Sequence, residues 1–270
     1  MNYIREAITQ QHIGEEAIAL RRHLHAHPDL SEQEFPTMEL VCEHLEAAGI
    51  PYERNVAESG VVGLIKGAFP GPVIALRADM DALPIQEDHP DAPYCSKTAG
   101  VMHACGHDGH MAMALELGRR LRGKENLPHN VLLVFQPAEE TTGGARRICE
   151  TGVFERLRVK AIFALHLWPG LPAGTLAGLP GAMMARSAEV TFTAKGRCAH
   201  FCSAGSGRDA LAACVAFYNE AAALSLPQRP EFLLGFGRME AGSVRNAVAG
   251  SARLEGSLRA LDDAAFCSIR

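Results

Sequence analysis

The residues most capable of chemistry lie between positions 103 and 110, which hold three histidines, a cysteine and an aspartate: His103, Cys105, His107, Asp108 and His110. They occupy the junction between a loop and a predicted helix, where neighbouring side chains can turn toward one point. Thiolate and neutral imidazole suit a borderline-soft ion such as zinc, with manganese or cobalt as options if carboxylates complete the shell. A polar helix start, capped by His107 and Asp108, is the alternative interpretation.

Asp79 and Asp81 lie two residues apart at the end of the apolar run 73–78, which predicts a strand. Side chains at this spacing on a strand point to the same side. Ligands of open α/β sheets bind at the carboxyl ends of the strands, so the pair is placed for ligand binding. Taken alone, two such carboxylates are more typical of a turn with solvated acids.

The same arrangement recurs after two further apolar runs. Residues 131–135 lead to Glu139 and Glu140, and residues 161–165 lead directly to His166. Three predicted buried strands thus each deliver a ligand-type side chain at their carboxyl ends, which a purely structural explanation accounts for poorly.

Together, Cys105, His107, His166 and one of the two glutamates offer sulfur, nitrogen and oxygen ligands, with one carboxylate to spare. Metal-assisted hydrolysis needs such a set, because the metal lowers the pKa of a bound water toward about 7 and the spare carboxylate takes its proton. Glu139 and Glu140 can divide these tasks if the chain bends after Pro137. A structural zinc site fits less well, since such sites are closed by four cysteine or histidine ligands.

Hydrophobic periodicity predicts the elements that position these side chains. Helices are expected over 4–25, 36–48, 107–121 and 144–154, and strands over 61–66, 73–78, 131–135 and 159–165. Continuous apolar strands that alternate with helices indicate an α/β fold, with a mainly parallel sheet and helices on both faces.

A Gly- and Pro-rich stretch, 170–181, marks a boundary beyond which the pattern changes. Alternating apolar residues predict strands over 188–194, 232–239 and 247–258, and an Ala-rich run predicts a helix over 208–226. This order suggests a small α+β unit with an antiparallel component. We therefore expect two domains, residues 1–184 and 185–270.

Composition excludes several classes of protein. The 270 residues are 47% hydrophobic and 21% charged, with a net charge of −5, which is typical of soluble globular proteins. The absence of a long Lys/Arg cluster argues against a nucleic-acid partner, and no apolar run approaches the ~20 residues that span a bilayer. Residues 1–16 lack the features of a secretory signal, and the eight cysteines form no C-x-x-C pair. We expect a cytoplasmic protein with free or metal-bound thiols.

Four motifs, taken together, resemble the signatures of the amidohydrolase branch of the aminoacylase-type metallopeptidases. They are R-A-D-M-D-A-L-P at 77–84, H-A-C-G-H-D-G-H at 103–110, Q-P-A-E-E at 136–140 and H-L-W-P at 166–169. That branch includes hippurate hydrolases and N-acyl-amino-acid amidohydrolases. The resemblance implies hydrolysis of the amide bond of an N-acyl amino acid.

The resemblance also implies a centre of two divalent ions per subunit, zinc or manganese, with cobalt or nickel as alternatives. The implied ligands are Cys105, His107, Glu140 and His166. Glu139 is implied as the general base that activates water, and Asp81 as a residue that orients the site. Asp79 is left outside the set of ligands.

The second domain is similar to the family's lid, or dimerisation, domain, which implies a homodimer. His200 would help hold the developing oxyanion, Asn246 would contact the substrate, and Arg259 could pair with a substrate carboxylate. A surface histidine and a solvated strand-end arginine are the alternative interpretations.

Members of this family continue beyond the point where this sequence ends and supply a further histidine ligand. We therefore expect either a fragment of a complete enzyme or a chain without that ligand. The second case leads to a different hypothesis: a truncated, catalytically impaired chain that retains partial metal binding and dimerisation without turnover.

Overall fold

A computed structural model describes residues 14–269, except 69–70, 125, 142, 173 and 225–231. The chain divides into two compact units between Leu171 and Pro172, inside the Gly- and Pro-rich stretch 170–181. The domain limit at residue 184 stays a prediction. Residues 4–13 of the first predicted helix and 225–226 of the helix predicted over 208–226 lie outside the described residues.

The first unit contains a five-stranded sheet. Its strands are β1 (Tyr52–Val56), β2 (Gly60–Ile65), β3 (Val73–Asp79), β4 (Asn130–Gln136) and β5 (Val159–Ala164). Its helices are α1 (Glu15–Ala26), α2 (Phe35–Ala47), α3 (His107–Leu121), α4 (Gly144–Glu150) and α5 (Val153–Arg156). The strand order is β1-β2-β4-β3-β5, in which β3 runs parallel to β4 and β5 while β1 and β2 add an antiparallel edge. The predicted α/β fold with a mainly parallel sheet is confirmed.

Strand β4 is central, and its side chains alternate between two cores. Leu133 and Phe135 pack with residues of α1, α2 and α3 on one face of the sheet. Leu132 and Val134 pack on the other face with residues of α4 and α5, among them Ile148. A strand covered by helices on both faces needs apolar residues at every position. Each fully buried side chain of this size contributes about 1.5–3 kcal/mol.

The register of the parallel strands brings their carboxyl ends to one edge of the sheet, which we call the carboxyl edge. Asp79 pairs with Gln136 across β3 and β4, and Arg77 pairs with Ala164 across β3 and β5. The segments that follow the three strands therefore leave the sheet at the same edge.

Three features of the first unit differ from the expectations. β5 was expected to be buried, but it lies at the border of the sheet, where Ile162 and Phe163 are 51% and 60% exposed. The helix expected over 144–154 is divided into α4 and α5, because Gly152 adopts a left-handed conformation with φ of +70°. β1 was not predicted, since its sequence Y-E-R-N-V has little apolar periodicity.

The second unit is an antiparallel sheet with a helix on one face. Its main strands are β6 (Arg186–Lys195), β8 (Phe232–Ala241) and β10 (Ser251–Ala260), in the order β6-β10-β8, and β7 (Ala199–His200) pairs with β9 (Ala247–Val248). Its helices are a 3₁₀ helix (Phe201–Ser206), α6 (Ala210–Leu224) and α7 (Asp263–Ile269). The ring of Phe217 on α6 stacks on that of Phe192 on β6 at 3.9 Å. This architecture agrees with the predicted α+β unit, except that the strand expected over 247–258 is divided into β9 and β10, which belong to different sheets.

Candidate metal centre

His107 is the first residue of α3 and lies at the carboxyl edge. Gly106, with φ of +84°, turns the preceding loop into the helix. His107 Nδ1 lies 2.7 Å from the backbone oxygen of Asp81, so Nδ1 carries the proton and donates it. The Nε2 lone pair is left free, 3.6 Å from Asp79 Oδ2 and 3.8 Å from Glu140 Oε1. One ring nitrogen fixed by a carbonyl and the other facing acceptors is the arrangement of a metal-ligating histidine.

His166 repeats this arrangement after β5. Its Nδ1 lies 2.7 Å from the backbone oxygen of Leu167 and therefore donates a hydrogen bond. Its Nε2 lies 3.5 Å from Cys105 Sγ. Two histidines from different segments thus present Nε2 lone pairs to the same small region, beside a thiol.

Glu139 and Glu140 are presented by a turn after β4. Ala138 in this turn is fully buried and has φ of +49°, and its N–H donates a 2.8 Å hydrogen bond to Glu34 Oε1. The turn supplies the bend after Pro137 that two adjacent glutamates need in order to take different positions.

The two glutamates differ in their surroundings. Glu140 is partly buried, its N–H donates to Asp81 Oδ2 at 2.9 Å, and its Oε1 has no hydrogen-bond partner among the described residues. A buried carboxylate oxygen without a partner is costly unless a cation binds it. Glu139 is exposed and accessible to water. The geometry therefore favours Glu140 as a ligand and Glu139 as a proton acceptor.

Asp81 is held rigidly beneath this site. Its Oδ2 accepts hydrogen bonds from Ser31 Oγ at 2.6 Å and from the Glu140 N–H, and its Oδ1 lies 3.4 Å from His107 Nδ1. Burial opposes ionisation of this carboxyl, but these hydrogen bonds outweigh it and lower the pKa of Asp81 to about 2. Asp81 thus stays ionised next to the histidine whose orientation it supports.

The electrostatics of the site call for a cation. Burial, together with the carboxylate of Glu140, raises the pKa of the Cys105 thiol to about 12. Partial desolvation by the surrounding side chains, together with the carboxylate of Glu140, also raises the pKa of Glu139 above its usual value, although Glu139 remains accessible to water. A bound divalent ion reverses this balance, because it favours a thiolate and ionised carboxylates nearby. The residues present therefore fit a metal.

The predicted ligands converge around His107. Cys105, His107 and His166 each offer a ligand atom within 4.8 Å of the others, and so do His107, Glu139 and Glu140. Sulfur, nitrogen and oxygen donors in one place suit zinc, manganese or cobalt. The structure thus brings together every residue that the sequence proposed for the metal centre.

Two members of the 103–110 cluster, His103 and Asp108, do not converge with Cys105 and His107. Asp108 Oδ2 binds His25 Nδ1 at 2.7 Å and Arg21 Nε at 2.8 Å. His103 is buried, neither ring nitrogen has a hydrogen-bond partner among the described residues, and burial lowers its pKa to about 4. His110 lies on the same face of α3 as His107, and both offer a ligand atom within 4.8 Å of Asp79. The expectation that the whole cluster meets at one point is therefore only partly met, because Asp108 turns toward His25 and Arg21 and His103 lies before the helix.

Asp79 is closer to the site than the sequence suggested. Its Oδ1 lies 2.6 Å from His110 Nδ1 and its Oδ2 lies 2.7 Å from Arg77 Nη1. Burial raises its pKa, but His110 and Arg77 outweigh this effect and hold the pKa below its usual value. The D-x-D pair at the end of β3 was the available sequence signal for this contact.

In the second unit, two of the three predicted substrate-binding residues lie together. His200 ends β7 and is exposed, and the Asn246 backbone oxygen accepts a hydrogen bond from the next N–H, that of Phe201. Arg259 lies near the far end of β10, eight residues beyond Ser251, or about 26 Å along the strand. The unit therefore does not bring Arg259 to His200 and Asn246.

Comparison with known proteins identifies the family of this chain. The model of Peptidase family M20/M25/M40 matches residues 75–243, which include all the residues of the candidate metal centre. An uncharacterized hydrolase of Staphylococcus haemolyticus is 38% identical over 248 residues, which are 90% of this chain and 64% of that protein. An N-acetyldiaminopimelate deacetylase of Geobacillus is 35% identical over 250 residues, which are 90% of this chain and 65% of that protein.

Solved structures are also similar. The Bacillus subtilis YxeP protein, described as a dinuclear metal-binding peptidase of the M20 family, is 36% identical with a TM-score of 0.73, over 94% of this chain and 66% of that one. The chain spans a little under two thirds of the length of the two relatives named above. The family model covers more than half of the chain. The chain therefore belongs to Peptidase family M20/M25/M40.

Proposed function

We propose that this chain provides the metal centre of an amidohydrolase that hydrolyses N-acyl amino acids at two divalent ions. One observation carries the proposal. Cys105 Sγ and the Nε2 atoms of His107 and His166 converge at the carboxyl edge, where the turn after β4 also presents Glu139 and Glu140. The similarity to the deacetylase named above supports an N-acyl amino acid as substrate. Hippurate is a second candidate substrate, because it is also an N-acyl amino acid. Zinc or manganese is the proposed ion, with cobalt or nickel as alternatives.

In this proposal the ions are held by four side chains: Cys105, His107, Glu140 and His166. When bound, a divalent ion lowers the pKa of a water ligand and polarises the amide carbonyl. Glu139 accepts the proton of the attacking water and returns it to the leaving nitrogen. Asp81 keeps His107 oriented throughout, through its backbone oxygen.

The 270-residue chain is expected to bind divalent ions and to release a carboxylic acid and an amino acid from hippurate or N-acetyldiaminopimelate. Treatment with a chelator should abolish the release, and addition of Zn²⁺ or Mn²⁺ should restore it. Elemental analysis and a ninhydrin assay on one preparation measure both properties. Bound metal without turnover of any N-acyl amino acid would instead support the impaired chain that retains only the metal site.

We further propose that the second unit acts as a lid domain that forms a homodimer. Leu211, Val215 and Tyr218 are exposed and form a stripe at helical spacing on α6, which supports a contact with a second copy. Sedimentation is expected to give a dimer that Val215→Glu weakens. Ala216→Glu, on another exposed face of α6, is the matched control and should not weaken it. A monomeric parent chain would contradict this proposal.

The proposed location is the cytoplasm. All eight cysteines are free, which suits a reducing compartment. Among the described residues, no helix has both the length and the apolar character needed to cross a membrane. In the lid, His200 and Asn246 are proposed to contact the substrate and Arg259 to pair with its carboxylate, as the family resemblance implies. Because Arg259 lies far from the other two within one unit, this proposal requires that the two copies of the homodimer share these roles.

A further inference from the structure

A chain of hydrogen bonds crosses the carboxyl edge beneath the metal centre. Arg77 Nε on β3 donates to Gln136 Oε1 at the end of β4, at 2.7 Å. The Nη1 atom of the same guanidinium lies 2.7 Å from Asp79 Oδ2. The ends of β3 and β4 are therefore joined by a partly buried, charge-assisted contact.

The chain continues to α3 and to the segment after β5 through His110. Its Nδ1 lies 2.6 Å from Asp79 Oδ1, so the Nδ1–H donates a hydrogen bond to that carboxylate. Its Nε2 accepts a 2.9 Å hydrogen bond from the backbone N–H of Leu167. The imidazole is 3% exposed, and both of its nitrogens have partners.

The backbone of Leu167 connects His110 to His166, a predicted metal ligand. Its N–H is held by His110, and its carbonyl oxygen accepts the 2.7 Å hydrogen bond from His166 Nδ1. The rings of His110 and His166 lie 4.6 Å apart between centroids. Gly109 leaves room for this approach, because a Cβ there would lie 2.5 Å from Leu167 Cδ1.

We propose that His110 is a positioning residue, which holds the Leu167 backbone so that His166 presents Nε2 to the metal. The inference rests on the proposed metal centre, and it assigns His110 a role that acts through Leu167 rather than on the ion. Asp79 supports the same role, because its carboxylate keeps the proton of His110 on Nδ1 and leaves Nε2 as the acceptor.

A different role for His110 is that of a ligand, since Asp79, His107 and His110 also offer three atoms within 4.8 Å of one another. The hydrogen bonds argue against it. A ligand needs a free lone pair, but the Nε2 lone pair of His110 already accepts the Leu167 N–H, and Nδ1 faces Asp79.

Three variants of the full 270-residue chain test this role by the affinity for Zn²⁺, measured in competition with a chromophoric chelator. His110→Phe fills the space but removes both contacts, and His110→Asn keeps only a donor at the position of Nδ1. Both are expected to weaken binding by about 10–100-fold, which is typical for the loss of a partner that orients a ligand. His110→Gln can place an oxygen near the Leu167 N–H and should recover most of the affinity.

A purely structural role would give a different order, because His110→Phe preserves the volume best and would then be the mildest change. Asn130→Ala is the control. It removes the hydrogen bond from the Gly67 N–H at the opposite, amino end of β4, and it should leave Zn²⁺ affinity unchanged. Circular dichroism verifies that each variant is folded.

Three results would overturn the proposal: parent affinity in His110→Phe, no recovery in His110→Gln, or the loss of one whole ion per chain, which would make His110 a ligand. If the parent chain itself binds no Zn²⁺, the proposed function fails as well. The two failures are therefore distinguishable.

Discussion

Replacing Glu139 with glutamine is expected to lower kcat for the proposed hydrolysis of N-acyl amino acids by about 10²–10⁴-fold, the usual contribution of a general base. The affinity for divalent ions should stay the same, because Glu140, rather than Glu139, has the buried oxygen without a partner. Steady-state kinetics and elemental analysis of the same preparation measure the two effects separately.

Glu140→Gln is the matched contrast for this prediction. It makes the same replacement of a carboxylate by an amide, one residue further along the chain. This variant should nevertheless release metal, since an amide is a much weaker ligand than a carboxylate. Glu150→Gln, on the exposed side of α4, serves as the neutral control. Turnover by Glu139→Gln at the parent rate would show that Glu139 is not the base.

His107→Ala should have the largest effect on metal binding. His107 belongs to each of the groups of candidate ligands found in the described part of the chain, and its Nε2 lies near both Asp79 and Glu140. We expect a loss of Zn²⁺ affinity beyond the about 10–100-fold that follows removal of an outer partner. Competition with a chelator measures this loss.

The control for His107→Ala is His89→Ala, which removes an exposed histidine of the same unit. It should bind Zn²⁺ like the parent chain. If the two variants bound Zn²⁺ equally well, His107 would not be a ligand, and the centre would have to be assigned to other residues.

The positions of the candidate ligands were predictable because they depend on strand ends. Continuous apolar runs predict the parallel strands, and parallel strands place their carboxyl ends at one edge. Glu140 and His166 follow two such strands, so their proximity follows from the pattern. The helix that begins at His107 was predicted with the correct bounds, since its apolar spacing is regular.

The partners of these ligands could not be predicted in the same way. Asp81 uses its backbone oxygen to orient His107, and Leu167 does the same for His166. Any residue type can supply a backbone oxygen, so no sequence signal marks it. The pairing of Asp79 with His110, 31 residues later, depends on how α3 packs against β3, which periodicity does not describe.

The roles of the two adjacent glutamates were likewise open from the residues alone. Their separation depends on the left-handed conformation of Ala138, which is unusual for a residue other than glycine, asparagine or aspartate. Glu34 on the segment before α2 stabilises that turn through the Ala138 N–H. A contact between residues 104 positions apart is a tertiary feature.

Titration of the parent chain with Co²⁺, followed by near-ultraviolet absorption, tests whether Cys105 and the histidines converge on a metal. A cysteine binds metal as its thiolate, and a thiolate bound to Co²⁺ gives a sulfur-to-metal charge-transfer band. We expect this band in the parent chain and its absence in Cys105→Ser, although seven other cysteines remain. A parent chain that shows no band, or a band that persists in Cys105→Ser, would contradict the assigned metal centre.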